Sequence, residues 1–293
     1  MTASAMTLTG FAPANAVSKP TGAQCVTVVK AYKPLAVRMA KDITARLQGR
    51  VGEVGLNLTD SQTGVTCWYH PYEHFYAASV IKVTILGALM HKAQVQHRAL
   101  TETELQQAWL MITQSDNAAA NYLWFDVGHY YMQRFLDLAK MRETKLATAW
   151  GLTLITAHDE LLLLNLITGA NPVLNQASRI YIRYLMHHVI AAQRWGVPAG
   201  TPRDVLWHVK NGWLPYPGSA WEINSIGTFT TTHRAYLITM LTYGNPSMAY
   251  GIDTIENAAE VIQALLNPGK HAVMPRSAPS KSWGIPDEPI PAR

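Results

Sequence analysis

The spacing of hydrophobic positions changes several times along the chain, and each change marks an element. Residues 33–47 follow a helical period and predict an amphipathic helix. VGEVGLNLTD and GVTCWYHP alternate apolar and polar positions, predicting two strands joined at the turn-rich Asp60-Ser61-Gln62-Thr63-Gly64. AASVIKVTILGALM, from Ala77 to Met90, is nearly all apolar with helical character. Residues 101–195 are mostly helical in pattern, and LTETELQQAWLMI opens on a good cap at Thr101. WGVPAGTP closes that block. Three strand-like runs follow, VLWHVKNGW, AWEINSIGTF and RAYLITMLTY, and then a helix from about Thr254 to Leu266. No internal repeat is visible.

Two strands, a helical block, three strands and a last helix predict an α+β fold. Its core is an antiparallel five-stranded sheet flanked by helices, with an inserted all-α domain. Residues 25–78 and 205–267 form the sheet lobe, and 79–204 the helical lobe. The last 26 residues hold six of the 16 prolines, so 268–293 is expected to be an extended tail. Residues 1–24 read as a leader or the remnant of a signal peptide. The start is apolar and rich in small residues, and ends in Ala14-Asn15-Ala16, an A-x-A cleavage pattern without a basic n-region.

Composition narrows the function classes. The chain has 293 residues, 48% hydrophobic and 15% charged, with a net charge of +5. That is enough apolar material for a large core. The basic residues are scattered, so a nucleic-acid partner is not supported. No apolar run reaches membrane-spanning length, so no integral membrane segment is expected. The two cysteines, Cys25 and Cys67, are either unrelated thiols or a disulfide that pins the N-terminal arm. With the leader, the pattern favours the disulfide and a secreted or cell-envelope destination.

The candidate chemistry starts at Ser79-Val80-Ile81-Lys82. Lys82 is the only ionisable residue of its apolar run, one helical turn from Ser79. An amine in apolar surroundings loses its proton more easily, and a neutral amine activates a neighbouring hydroxyl as a nucleophile. A helix whose one lysine reaches to water would show the same four residues. Ser115-Asp116-Asn117 offers a hydroxyl to relay a proton and an amide to hold a substrate amide, and it also reads as a helix cap. Lys210-Asn211-Gly212, followed by Trp213, reads as the end of an edge strand or as an Asn-Gly turn. On a strand, Lys210 attracts a substrate carboxylate, Gly212 permits close approach, and the Trp213 N–H supplies an oxyanion donor.

S-x-x-K, S-D-N and K-x-G in this order resemble the class A β-lactamases and penicillin-binding proteins, over residues 33–267. WGLTLITAHDE, QRWGVPAG and VKNGWLPYPGSAWEINSIG resemble secreted bacterial β-lactamase-like serine hydrolases. The resemblance implies the same two-lobed architecture and a serine hydrolase that is monomeric and needs no cofactor or metal. Its substrate would be a small molecule or a peptidoglycan-like amide. Ser79 would be acylated, with Lys82 as its base and Ser115 as proton shuttle. Asn117 would bind the substrate amide, and Lys210 would assist Ser115.

Two departures stand out. Asn211 replaces the usual Thr or Ser, implying an amide contact to the substrate carboxylate. The E-x-x-L-N deacylation motif has only Glu143-Thr144-Lys145-Leu146-Ala147 as its counterpart, which implies slow release of the acyl group. Glu160 reads instead as a helix-start acid. A D,D-peptidase or transpeptidase would use the same residues, and an esterase or amidase on another substrate is a further alternative. His70-Pro71-Tyr72-Glu73-His74 matches the zinc-peptidase pattern H-x-x-E-H, but Pro71 argues against the helix that this chemistry needs.

Overall fold

The early and late strand-like runs meet in one antiparallel sheet. The computed structural model describes residues 21–215 and 220–277. The leader with its A-x-A pattern, Tyr216 and Pro217 after the Trp213 strand, and the end of the Pro-rich tail lie outside the described residues. The strands are β1 (Gln24–Val26), β2 (Glu53–Asp60), β3 (Thr66–Tyr69), β4 (Phe75–Tyr76), β5 (Leu154–Ile155), β6 (Leu206–Pro215), β7 (Trp221–Thr230) and β8 (Ala235–Asn245). The main sheet runs β1-β3-β2-β8-β7-β6, and β4 and β5 form a separate pair.

The α+β class therefore holds, but the main sheet has six strands rather than five. The extra strand is β1, too short to show a period. It pairs antiparallel with β3 in the register Cys25↔Cys67, and those two cysteines form a disulfide. The covalent link holds three residues at an edge where few hydrogen bonds would hold them.

Seven helices complete the described residues: α1 (Lys33–Leu47), α2 (Ile81–Val95), α3 (Glu102–Trp109), α4 (Asn117–Ala139), α5 (Ala157–Thr168), α6 (Gln176–His187) and α7 (Met248–Leu266). α7 begins earlier than Thr254. Ser247 accepts from Tyr250 N at 3.1 Å and caps a first turn that the preceding Asn-Pro pair disguised as loop. α1 and α7 pack against each other, with α7 on the outer face of the sheet. The core there includes Met39, Ile43, Leu56, Leu58, Ile238 and Ile255. α2 is the central helix of a second core with α4, α5 and α6, and it is buried on nearly every side, as its lack of a polar face requires.

After α7 the chain turns back. Gly200 N donates to Met274 O at 2.9 Å, and Val273 N to Thr201 O at 3.0 Å. The Glu256 carboxylate accepts from Gly196 N, Ser277 N and Ser277 Oγ, tying this return segment to the loop that leads into β6. Among the described residues no helix is long and apolar enough to cross a membrane.

Candidate active site

Ser79 lies in a 3-10 turn, Ala78–Val80, that leads into α2. The turn is held from two sides. Ala77 N donates to Thr153 O at 2.8 Å, and Asn224 Nδ2 donates to Tyr76 O at 2.8 Å and to Ala77 O at 3.3 Å. Ala78 has φ +45°, a left-handed conformation costly for a residue with a Cβ. The half-buried Ser79 side chain makes no hydrogen bond among the described residues.

Ser115-Asp116-Asn117 forms a cap whose flanking side chains face α2. A π-turn, Leu110–Gln114, ends at Ser115 in the left-handed region, φ 59° and ψ 33°. Asp116 then caps α4, its Oδ1 accepting from Ala119 N at 2.7 Å. The cap turns Asp116 toward its own helix, while Ser115 and Asn117 face α2.

Lys82 receives them. Its Nζ donates to Ser115 O at 2.7 Å, Asn117 Oδ1 at 2.8 Å and Ser115 Oγ at 3.3 Å. It lies 4.7 Å from the Trp150 ring centroid. From the sheet side, Lys210 Nζ donates to the same Ser115 Oγ at 2.9 Å. Both lysines are 0% exposed. Burial pushes the Lys82 amine well below its usual value, the Lys210 charge pushes it further, and Asp116 pulls the other way. Burial alone brings Lys210 down to about 7. The lysine therefore does not reach to water, and the apolar run around it sets its basicity.

The Lys210 motif lies within β6, paired continuously with β7 from Leu206↔Thr230 to Pro215↔Trp221, so Asn211-Gly212 is not a turn. Alternation sends Lys210 and Gly212 to the inner face. A Cβ on Gly212 would fall 2.8 Å from Ser79 N and 3.0 Å from Val80 N, so only glycine lets β6 pass this close to the nucleophile turn. Asn211 and Trp213 go outward. The Trp213 ring packs toward Trp195, with centroids 6.0 Å apart, and its backbone follows Gly212.

Asn211 has its amide nitrogen engaged within the fold. Buried at 1% exposure, it donates to Gln193 O at 2.8 Å and Trp195 O at 2.9 Å, anchoring the loop behind the strand. The physical reason is strand alternation: a residue next to Lys210 occupies the opposite face.

Glu143 is positioned through its backbone. Its N–H donates to Asp159 Oδ2 at 2.9 Å and its carbonyl accepts from His74 Nε2 at 3.0 Å. Its half-buried carboxylate makes no hydrogen bond or ion pair among the described residues, and no ion pair joins a carboxylate to Lys82 there. Glu160 lies in the first turn of α5, as a helix-start acid should, but it is buried there. It is 0% exposed, its oxygens unpartnered among the described residues, and burial raises its pKa well above the usual value. The H-x-x-E-H residues lie between β3 and β4, off any helix, and among the described residues no three His, Cys, Asp or Glu side chains group as a metal site.

Two contributors escaped the sequence reading. Asn224 anchors the nucleophile turn, and its signal is a polar residue at an inward position of WEINSIGTF. Trp150 covers Lys82, and its Nε1 donates to Asn121 Oδ1 at 2.6 Å. Nothing in the sequence marks it, because its role depends on a loop folding back over α2.

Lys82, Ser115, Asn117 and Lys210 thus meet between α2, the start of α4 and β6, and Gly212 of the same strand lies against the Ser79 turn. A profile of the beta-lactamase enzyme family matches residues 38–107 and 102–266, and the chain belongs to that family. No curated protein matches it. Solved structures share the fold. A beta-lactamase from Xanthomonas campestris pv. campestris is 20% identical, with a TM-score of 0.67 over 82% of this chain and 100% of that one. A class A beta-lactamase representative from Bacteroides cellulosilyticus is 17% identical, with a TM-score of 0.69 over 80% and 98%. A protein described as PBP-A is 18% identical, with a TM-score of 0.68 over 80% and 96%.

Proposed function

We propose that Ser79 attacks β-lactam or related amide carbonyls and forms an acyl-enzyme that is released slowly. The observation that carries this reading is the convergence of Lys82 and Lys210 on Ser115 Oγ. As Ser79 Oγ bonds to the carbonyl carbon, its proton passes to the neutral Lys82 amine. Lys82 returns a proton through Ser115 Oγ to the leaving nitrogen as the amide C–N bond breaks. Lys210 holds Ser115 and, when protonated, attracts a substrate carboxylate. The backbone N–H groups of Ser79 and Trp213, brought together at Gly212, receive the oxyanion. Asn117 orients the substrate amide.

Trp150 supports slow release. An indole covers Lys82, and among the described residues no carboxylate pairs with that amine to activate a water beside the acyl group. The same observation favours a second reading, a cell-wall D,D-peptidase or transpeptidase. The disulfide supports an oxidising destination and therefore secretion.

Intact-protein mass spectrometry after mixing with a penicillin tests the proposal, wild type beside Ser79→Ala, with ring opening followed in parallel. A long-lived adduct on wild type alone is expected. Rapid ring opening without an adduct would overturn slow release. Neither signal on wild type would move the assignment to an esterase or amidase on other substrates.

A further inference from the structure

A second cleft lies away from Ser79, between α6, the start of β6 and the turn joining β7 to β8. Its volume is about 570 Å³, and Arg183, His187, His208 and the turn residues Thr230, Thr231 and Thr232 are among its lining. It shares no lining residue with the serine site. Leu206, at its rim, is four residues along the strand from Lys210, roughly 13 Å at strand rise.

The lining is chemically one-sided: among the described residues it holds two arginines, four histidines and no carboxylate. Arg234 is neutralised by Asp60, with Nε to Oδ1 at 2.6 Å. Arg183 is not. Half-buried, its guanidinium donates to Ile167 O, and among the described residues no carboxylate pairs with it. Its charged neighbour is another cation, Arg179. His187 is held by a hydrogen bond between Nδ1 and Trp207 O at 2.8 Å, and His208 by contacts of Nδ1 with Thr228 O at 3.2 Å and Thr228 Oγ1 at 2.9 Å. The rings are fixed as walls, not spent on a counter-ion.

A half-buried guanidinium without an anion is left partly desolvated, and an oxyanion entering the cleft would offset that cost. Arg183 presents a planar fork, Thr230 ends β7, and Thr231 and Thr232 stand on the tight turn that follows, where Thr231 N donates to Arg234 O at 2.8 Å. A guanidinium with several hydroxyl donors suits a group with three or four acceptor oxygens. We propose that this cleft binds a phosphate group through Arg183 and the hydroxyls of Thr230, Thr231 and Thr232, at a site independent of the acyl chemistry.

Calorimetric titration of the full chain at constant ionic strength, near 0.15 M to limit diffuse charge effects, would use three probes. These are inorganic phosphate, a glycerol-phosphate trimer and vesicles containing phosphatidylglycerol. Saturable binding of at least one probe is expected, weakened at least tenfold in Arg183→Gln. A double variant, Thr231→Val with Thr232→Val, should weaken binding likewise; it alters only the turn and serves alone if Arg183→Gln fails to fold. Binding of free phosphate assigns a small-ion site, of the trimer alone a phosphodiester chain, and of vesicles alone a lipid headgroup. No saturable binding by any probe, or binding unchanged in the folded variants, overturns the proposal.

Discussion

Lys82 and Lys210 donate to the same oxygen, Ser115 Oγ, from opposite lobes of the protein. Burial lowers the pKa of both amines, and at Lys82 the Lys210 charge adds to it, so Lys82 is the amine that yields its proton. Acylation should therefore follow a bell-shaped pH profile. The acid limb is protonation of Lys82, and the alkaline limb is loss of the Lys210 proton near pH 7. Lys210→Ala removes a charge that depresses Lys82, so the acid limb should move to higher pH. Stopped-flow acylation rates across pH 4–9 test this, and an unmoved acid limb would contradict the coupling.

The same burial has a stability consequence. Between pH 7 and the ordinary lysine value the unfolded chain binds more protons than the folded one, so the Lys210 contribution makes stability rise with pH across that window. Below about 7 both forms are protonated and the contribution levels off. Lys210→Met should flatten the window in urea unfolding midpoints measured from pH 7 to 10.

Trp150→Glu places a carboxylate beside Lys82 where the indole now sits. Acyl-enzyme lifetime, followed by mass spectrometry after a penicillin pulse, should shorten at least tenfold, about 1.4 kcal/mol of barrier. An unchanged lifetime with unchanged acylation would mean that the missing base is not what limits release.

Gly212→Ala should slow acylation by about 100-fold, because the added Cβ meets the backbone N of Ser79 and Val80 and the turn must shift. Asn211→Thr separates a structural from a substrate-binding role. A loss of about 1–3 kcal/mol in stability is expected, from carbonyls of Gln193 and Trp195 left unpaired. Substrate preference should not change. Altered preference at full stability would place Asn211 at the substrate.

Cys25→Ser should cost about 2–4 kcal/mol by denaturant unfolding, through the loss of the long closed loop, with acylation intact.

Most of the sheet and the nucleophile helix were legible because their periods are clean and their motifs local. Ser79, Lys82 and Ser115 could be read from short spacings. Asn211 could not: a motif aligns residues by order, whereas alternation decides which face they meet. β1 was too short to carry a period, and the start of α7 was masked by Asn245-Pro246. Trp150 and Asn224 act through contacts across long stretches of sequence, which composition and spacing do not encode.

The register of β2 against β8 joins Glu53 to Tyr243 and Asp60 to Tyr236, so the middle of the sheet pairs strands separated by about 180 residues of sequence. The helical lobe emerges between them during synthesis. The floor beneath Ser79, Gly212 with Asn224, gains its second flank only when β8 arrives. A nascent chain would thus carry the S-x-x-K residues long before it could use them, and acyl chemistry would switch on only after β8 had been made.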